Sequence, residues 1–187
     1  MKKILLFCFL TLSLFLSSPS WARKTMSVSG FGGPQFQLTN TYPELGVGLG
    51  GGVAFDYRFN QRWAIASSIS FFTQDGRGAS SGDKDSLLIN VPEISLKFYL
   101  LGTEHKIDPY LSAGIGLSIL TEGSRSDNSG GAGIGAQFGV GTDFYFTDWF
   151  SVGFLAQFKT VGIIRDSSQS SALIFLSTLG NFTFHFK

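Results

Sequence analysis

The chain is poor in the side chains that most chemistry depends on. Among 187 residues there is one cysteine, Cys8, and there are two histidines, His105 and His185. A lone thiol forms no internal disulfide, and two distant histidines without a second thiolate make no zinc or iron site. No metal and no other cofactor is expected. Charged residues amount to only 14% and nowhere form a basic cluster, which excludes the electrostatic footprint of a nucleic-acid binder. Beyond residue 22 no stretch sustains the 3.6-residue period of a helix.

The one long apolar run is at the start. Met1-Lys2-Lys3 is basic, Ile4 to Leu16 is apolar apart from Thr11 and Ser13, and Ser17-Ser18-Pro19 breaks the run. Small residues at Ser20 and Ala22 complete the layout of a secretory signal peptide cleaved after Ala22. The run is shorter than the ~20 residues of a spanning helix. Residues 1–22 are therefore expected to leave as a signal, with residues 23–187 forming one domain. Cys8, Lys2 and Lys3 leave with it, so 14 basic residues become 12 against 13 acidic ones.

What is abundant is glycine, 24 residues, and phenylalanine, 20 residues. They interleave. In Ile134 to Phe146 the even positions Ile134, Ala136, Phe138, Val140, Phe144 and Phe146 alternate with Gly135, Gln137, Gly139, Gly141 and Asp143. After Thr147-Asp148 the pattern resumes, with Phe150, Val152, Phe154 and Phe158 opposite Ser151, Gly153, Gln157 and Lys159; Leu155 is the exception. A two-residue period either side of a tight turn is a β-hairpin. The same alternation marks strands over Val47–Phe59, Trp63–Phe71, Pro92–Tyr99, Tyr110–Ile119 and Asn181–Phe186. An opening strand over Thr25–Leu38 is interrupted by Gly32-Gly33-Pro34. That makes eight strands.

Connection lengths alternate as well. Asn60–Arg62, Gly102–Lys106 and Thr147-Asp148 are short, whereas Gln74–Asp85, Glu122–Gly131 and Gly162–Ser171 are longer and polar, with Thr39–Pro43 a shorter member of that set. Short turns at one end and longer loops at the other describe a transmembrane barrel, for which strands of about 10–12 residues suffice. One face of each strand is bulky and apolar. The other is mostly Gly, Ala and Ser with scattered charges, too small and polar for a dry core and suited to a narrow lumen. A closed barrel also leaves no unpaired backbone in hydrocarbon. Phe59, Trp63, Phe98, Tyr99, Tyr110, Tyr145, Phe146, Trp149, Phe150, Phe184 and Phe186 fall beside the short turns and are expected to form an aromatic girdle at that rim.

The phrases GVGTDFYFTDWFSVGFLAQF, DPYLSAGIGLSI, NVPEISLKFYL and FTFHF carry a resemblance. The chain resembles the small eight-stranded outer-membrane β-barrels of the OmpA-transmembrane-domain, OmpX and OmpW-like group. The resemblance implies an all-β, eight-stranded antiparallel up-and-down barrel in the outer membrane of a Gram-negative cell, among outer-membrane lipids and lipopolysaccharide. It also implies delivery by periplasmic chaperones and insertion by the barrel-assembly machinery, with Phe182, Phe184 and Phe186 as the assembly signal. One departure is that Lys187 follows the last aromatic.

Candidate chemistry is confined to the inner face. Asp56, Arg58, Glu93, Lys97, Asp143, Lys159 and His185 are expected there, as a polar channel lining, a catalytic cluster or a salt-bridged plug; charges held from water need partners, which favours the plug. Ala64, Ala66, Ser68, Gly114 and Gly116 are expected to leave room for Arg58, Lys97 and Glu93 to meet. Gly46, Gly48 and Gly51 satisfy a G-x-G-x-x-G pattern, but inside a strand it has no helix to open and carries no nucleotide reading. Asp75, Asp83 and Asp85 lack the spacing of a calcium loop. Some eight-stranded barrels modify lipid A with a His/Ser pair and an acidic partner. Here neither histidine belongs to a His-x-Ser pair, and both fall near the short-turn rim. The expected role is non-enzymatic, in envelope structure or in surface recognition through the longer loops. The alternatives are a narrow channel for ions or small apolar solutes, a lipid A-modifying enzyme and, more distantly, a soluble ligand-binding barrel.

Overall fold

The computed structural model describes residues 25–39, 45–76, 86–102, 104–122, 131–165 and 170–186. Residues 1–24, the expected signal segment, and Asp83 and Asp85 lie outside the described residues, as does the side chain of Asp75. Eight strands follow one another: β1 Met26–Gln37, β2 Leu45–Arg58, β3 Trp63–Gly76, β4 Ser86–Tyr99, β5 Ile107–Glu122, β6 Gly131–Tyr145, β7 Phe150–Arg165 and β8 Ser170–Phe186. Each pairs antiparallel with the next, and β8 pairs back onto β1, so the sheet closes. Closure leaves no strand edge, the condition for burying β-structure in lipid.

The alternation sorts the faces as the composition requires. Phe55, Ile65, Leu96, Ile115, Phe138, Val140, Phe154 and Phe182 all point outward and are exposed. A water-facing surface this apolar would be an aggregation hazard; a lipid-facing one is the ground state of a membrane barrel. The sixteen residues of β7, at ~3.3 Å each and tilted about 45°, rise roughly 35 Å and cross the ~25 Å apolar band.

The strands run longer than the sequence pattern shows, from 12 to 17 residues. β1 is continuous through Gly32-Gly33-Pro34. Its pairing with β8 skips Gly33 and Pro34, which has no N–H to give, and resumes at Gln35 opposite Ser177 in unchanged register. β4 begins at Ser86 rather than Pro92, because a register shift between Asn90 and Glu93 changes the phase of the alternation. The expected Gly162–Ser171 loop is mostly strand; only residues 166–169 separate β7 from β8. Likewise β3 continues to Gly76, past the expected loop start at Gln74.

The rim beside the short turns carries aromatic packing on the outer surface. Trp63 lies against Phe98 with ring centroids 4.7 Å apart, and Trp149 stacks on Phe184 at 6.1 Å, with Phe150 5.5 Å from Phe184. Tyr99 and Tyr110 are not part of this girdle. Both are buried in the lumen, 5.2 Å apart, and Tyr145 also turns inward to meet Arg58. Inward parity on their strands, together with a polar tip that needs a partner, places them inside.

Candidate functional site

The interior is built in three tiers. Nearest the short turns, the inward positions of β2, β4, β5 and β6 bring charges together. Arg58 Nη2 donates to Asp108 Oδ2 at 2.9 Å and to the carbonyl of Gln61, while Nη1 donates to Tyr145 Oη at 3.4 Å. Its guanidinium carbon sits 3.7 Å from the Tyr99 ring centroid, a cation–π contact. The other oxygen of Asp108 accepts the backbone N–H groups of Leu101 and Gly102 at 3.3 and 3.0 Å. Lys97 Nζ forms an ion pair with Asp56 Oδ1 at 2.5 Å. Asp143 accepts the Tyr99 hydroxyl at 3.4 Å, and Ser151 Oγ meets His185 Nε2 at 2.8 Å.

Small residues opposite large ones make this tier possible. Arg58 faces Ala64, Asp56 faces Ala66, Tyr110 faces Gly141 and Asp143 faces Gly153 across the sheet. A Cβ at Gly141 would lie 2.4 Å from Tyr110 Cζ, so only glycine leaves the ring its place.

The middle tier is organised on Asn90. Its Oδ1 accepts from Lys159 Nζ at 2.6 Å and from Ser118 Oγ at 2.7 Å, and its Nδ2 donates to Ser70 Oγ at 2.8 Å. Lys159 also pairs with Glu93, whose other oxygen is 3.4 Å from Ser68 Oγ. Between this tier and the first lies a cavity of about 50 Å³, lined by Ser68, Glu93, Lys97, Tyr110, Leu155 and Asn181 among others. That is room for about three or four waters.

The third tier, toward the longer loops, is apolar. Phe72, Leu88, Leu120, Val161, Ile163, Leu173, Phe175 and Leu179 form one fully buried cluster, with Phe31 and Leu155 packed against it. This corrects the expectation that the inner face is too small and polar for a dry core: toward the longer loops eight inward side chains form one. Leu155, the exception to the alternation, touches both this cluster and the one formed by Ala64, Tyr99 and Tyr110.

Arg58, Lys97 and Glu93 do not meet one another. Each takes a different partner, giving three separate ion pairs: Arg58–Asp108, Lys97–Asp56 and Lys159–Glu93. Such pairs inside a barrel repay their desolvation only when further hydrogen bonds satisfy both ends, as Asn90 and the β4–β5 turn do here. Asp108 and Asn90 are the residues that sequence reading misses. Asp108 has the inward parity of Tyr110 but precedes the expected strand start, and Asn90 lies beyond the bulge. His105 is exposed on the β4–β5 turn, where its backbone N–H donates to the carbonyl of Gly102 at 3.3 Å. Ser151 is fully buried, so the Ser151–His185 pair offers no substrate an accessible nucleophile. Among the described residues no group of three His, Cys, Asp or Glu side chains could hold a metal. Phe182, Phe184 and Phe186 lie on the outer face of β8, and Phe182 covers Gly30 of β1.

Residues 8–172 match the model of the outer membrane protein beta-barrel domain. The chain belongs to that family. It is an outer-membrane β-barrel of a Gram-negative cell. No curated protein matches its sequence. Solved barrels match it in shape. Neisserial surface protein A is 14% identical, with 88% of this chain and 97% of that one covered and a TM-score of 0.60. Ail, the attachment invasion locus protein of Yersinia pestis, is 15% identical over 87% of this chain and 99% of its own, with a TM-score of 0.55. The N-terminal barrel domain of Pseudomonas aeruginosa OprF gives 15%, 87% and 98%, with a TM-score of 0.53. At these identities the family members share a fold, and their activities do not transfer.

Proposed function

We propose that this barrel is a closed, non-enzymatic component of the outer membrane that serves envelope structure or surface recognition. The supporting observation is the filled lumen. Among the described residues three ion pairs, an Asn90-centred hydrogen-bond cluster and an apolar layer occupy it in succession, with a cavity of about 50 Å³ beside the charged tiers. A conducting pore needs a continuous wet path, and a lipid A-modifying enzyme needs an accessible nucleophile. Purified protein in a planar bilayer is expected to give no conductance steps, and its expression to leave the mass spectrum of lipid A unchanged. Steps would establish the channel instead, and a mass change the enzyme.

Recognition, where it occurs, falls to residues 77–85 and 123–130, which join the strands at the longer-loop end. Ail has been solved with the heparin analogue sucrose octasulfate, which makes sulfated glycans a first probe. Replacing both segments by short turns should abolish surface binding while the folded barrel survives. If no binding or envelope phenotype changes, the recognition arm is lost. Residues 1–22 serve as the export signal in this reading, with the mature barrel starting at Arg23, and Phe182, Phe184 and Phe186 present the aromatic strand to the assembly machinery.

A further inference from the structure

The charged tiers and the apolar tier oppose permeation by different physics, and they are stacked in series along one axis. Register fixes their order. Leu88 faces Phe72 and Leu120 across the sheet, Val161 faces Leu173, and all lie within a few residues of the longer-loop strand ends. Glu93 and Lys159 come next, and Lys97, Asp56, Arg58 and Asp108 lie closest to the short turns.

The charged tiers are wettable. They already adjoin a cavity large enough for a few waters. Tyr110 and Asn181 line its wall, and Tyr110 Oη and Asn181 Oδ1 make no well-directed hydrogen bond, which leaves both able to bind water. Ion pairs of this kind can exchange partners with water or with a passing ion. The apolar tier cannot. Its eight members are at most 3% exposed and offer no polar atom. One polar pair lies beside them: Gln74 Nε2 donates to Gln35 at 2.8 Å and both side chains are buried, which leaves Gln74 Oε1 as the single unpartnered polar atom at this level among the described residues. An ion entering this layer loses its hydration shell and gains at most that one oxygen, which is how an apolar constriction blocks a pore by dewetting.

We infer that the permeability seal of this barrel is the apolar layer of Phe72, Leu88, Leu120, Val161, Leu173 and Phe175, and that the three ion pairs hold the barrel's shape rather than its impermeability. The inference rests on the closed-lumen reading. It predicts that the seal can be opened without touching a charge, and that the charges can be removed without opening it.

Planar-bilayer recording on purified full-length variants tests this, with a boiled and unboiled gel selecting the folded ones. The Leu88→Asn/Leu120→Asn pair wets the layer with the same branched skeleton and heavy-atom count, and the Phe72→Ala/Phe175→Ala pair empties it. Either one, once folded, should convert a silent bilayer into one with discrete steps. The Glu93→Gln/Lys159→Met pair removes a complete ion pair and should remain silent. A folded apolar-layer variant that stays silent overturns the inference, and so does conductance from Glu93→Gln/Lys159→Met. Conductance from the unaltered protein is a different result: it removes the closed-lumen reading itself.

Discussion

Arg58 and Asp108, fifty positions apart, form a buried ion pair whose acidic member also holds the backbone of the β4–β5 turn. One carboxylate thus joins three elements: β2 through the guanidinium, β5 through its own backbone, and the turn through Leu101 and Gly102. Asp108→Ala strands the guanidinium in the lumen and frees two N–H donors. The expected loss is about 3–5 kcal/mol of stability, measured by urea unfolding in detergent or lipid vesicles. Asp108→Asn keeps an acceptor for the turn and should lose less. Equal losses would mean that the turn contributes nothing.

Lys159 and Glu93 are expected to behave as a unit. Either single truncation leaves one buried charge and should destabilise by about 3–5 kcal/mol, whereas Glu93→Gln/Lys159→Met should lie within a few kcal/mol of the parent in either direction. A double-mutant cycle by equilibrium unfolding reads the coupling directly. Additive single effects would show that the two side chains act independently.

Gly141→Ala drives a methyl group to 2.4 Å from Tyr110 Cζ, so the ring must shift toward the cavity it lines. The expected loss is about 1–3 kcal/mol from overpacking. The Gly141→Ala/Tyr110→Phe pair should recover part of it, because removing the hydroxyl relieves the tip that lies 2.5 Å from the same point. Unfolding midpoints of the two variants decide the matter.

Trp63 and Trp149 both belong to the rim beside the short turns, and Trp149 is 59% exposed on the outer surface. Both should therefore sit at the level of the lipid headgroups rather than mid-bilayer. Vesicles of lipids brominated near the headgroup should quench their fluorescence more strongly than lipids brominated near the chain end. The reverse order would displace the barrel along the membrane normal.

Much of this architecture is legible in the chain, and the illegible part has a single physical origin. Alternation reveals a strand only where its two faces differ. Along β6 and the first half of β7, Phe138, Val140 and Phe154 face lipid while Gln137, Asp143 and Gln157 face a polar lumen, so the pattern stands out. Toward the loop ends the lumen is apolar too. Ala172-Leu173-Ile174-Phe175-Leu176 then reads as an unbroken apolar run, and Val161-Gly162-Ile163-Ile164 looks like the start of a loop. The bulge at Asn90–Glu93 hid the first half of β4 in a different way, by reversing the phase. The inward charges were readable by parity, but their partners were not, because pairing depends on which strands face each other across the lumen and not on spacing within one strand.

The apolar tier also shapes the life of the chain before the barrel exists. Residues 172–176 carry no charge, no proline and no glycine, and once the barrel closes Leu173 and Phe175 point inward while Leu176 points to lipid. In the aqueous space crossed on the way to the membrane, that segment has no side to turn to water. It is a β-prone run of the kind that pairs with its own copies when left uncovered. The strand that completes the cylinder against β1 is therefore the described segment most open to self-association until closure covers it.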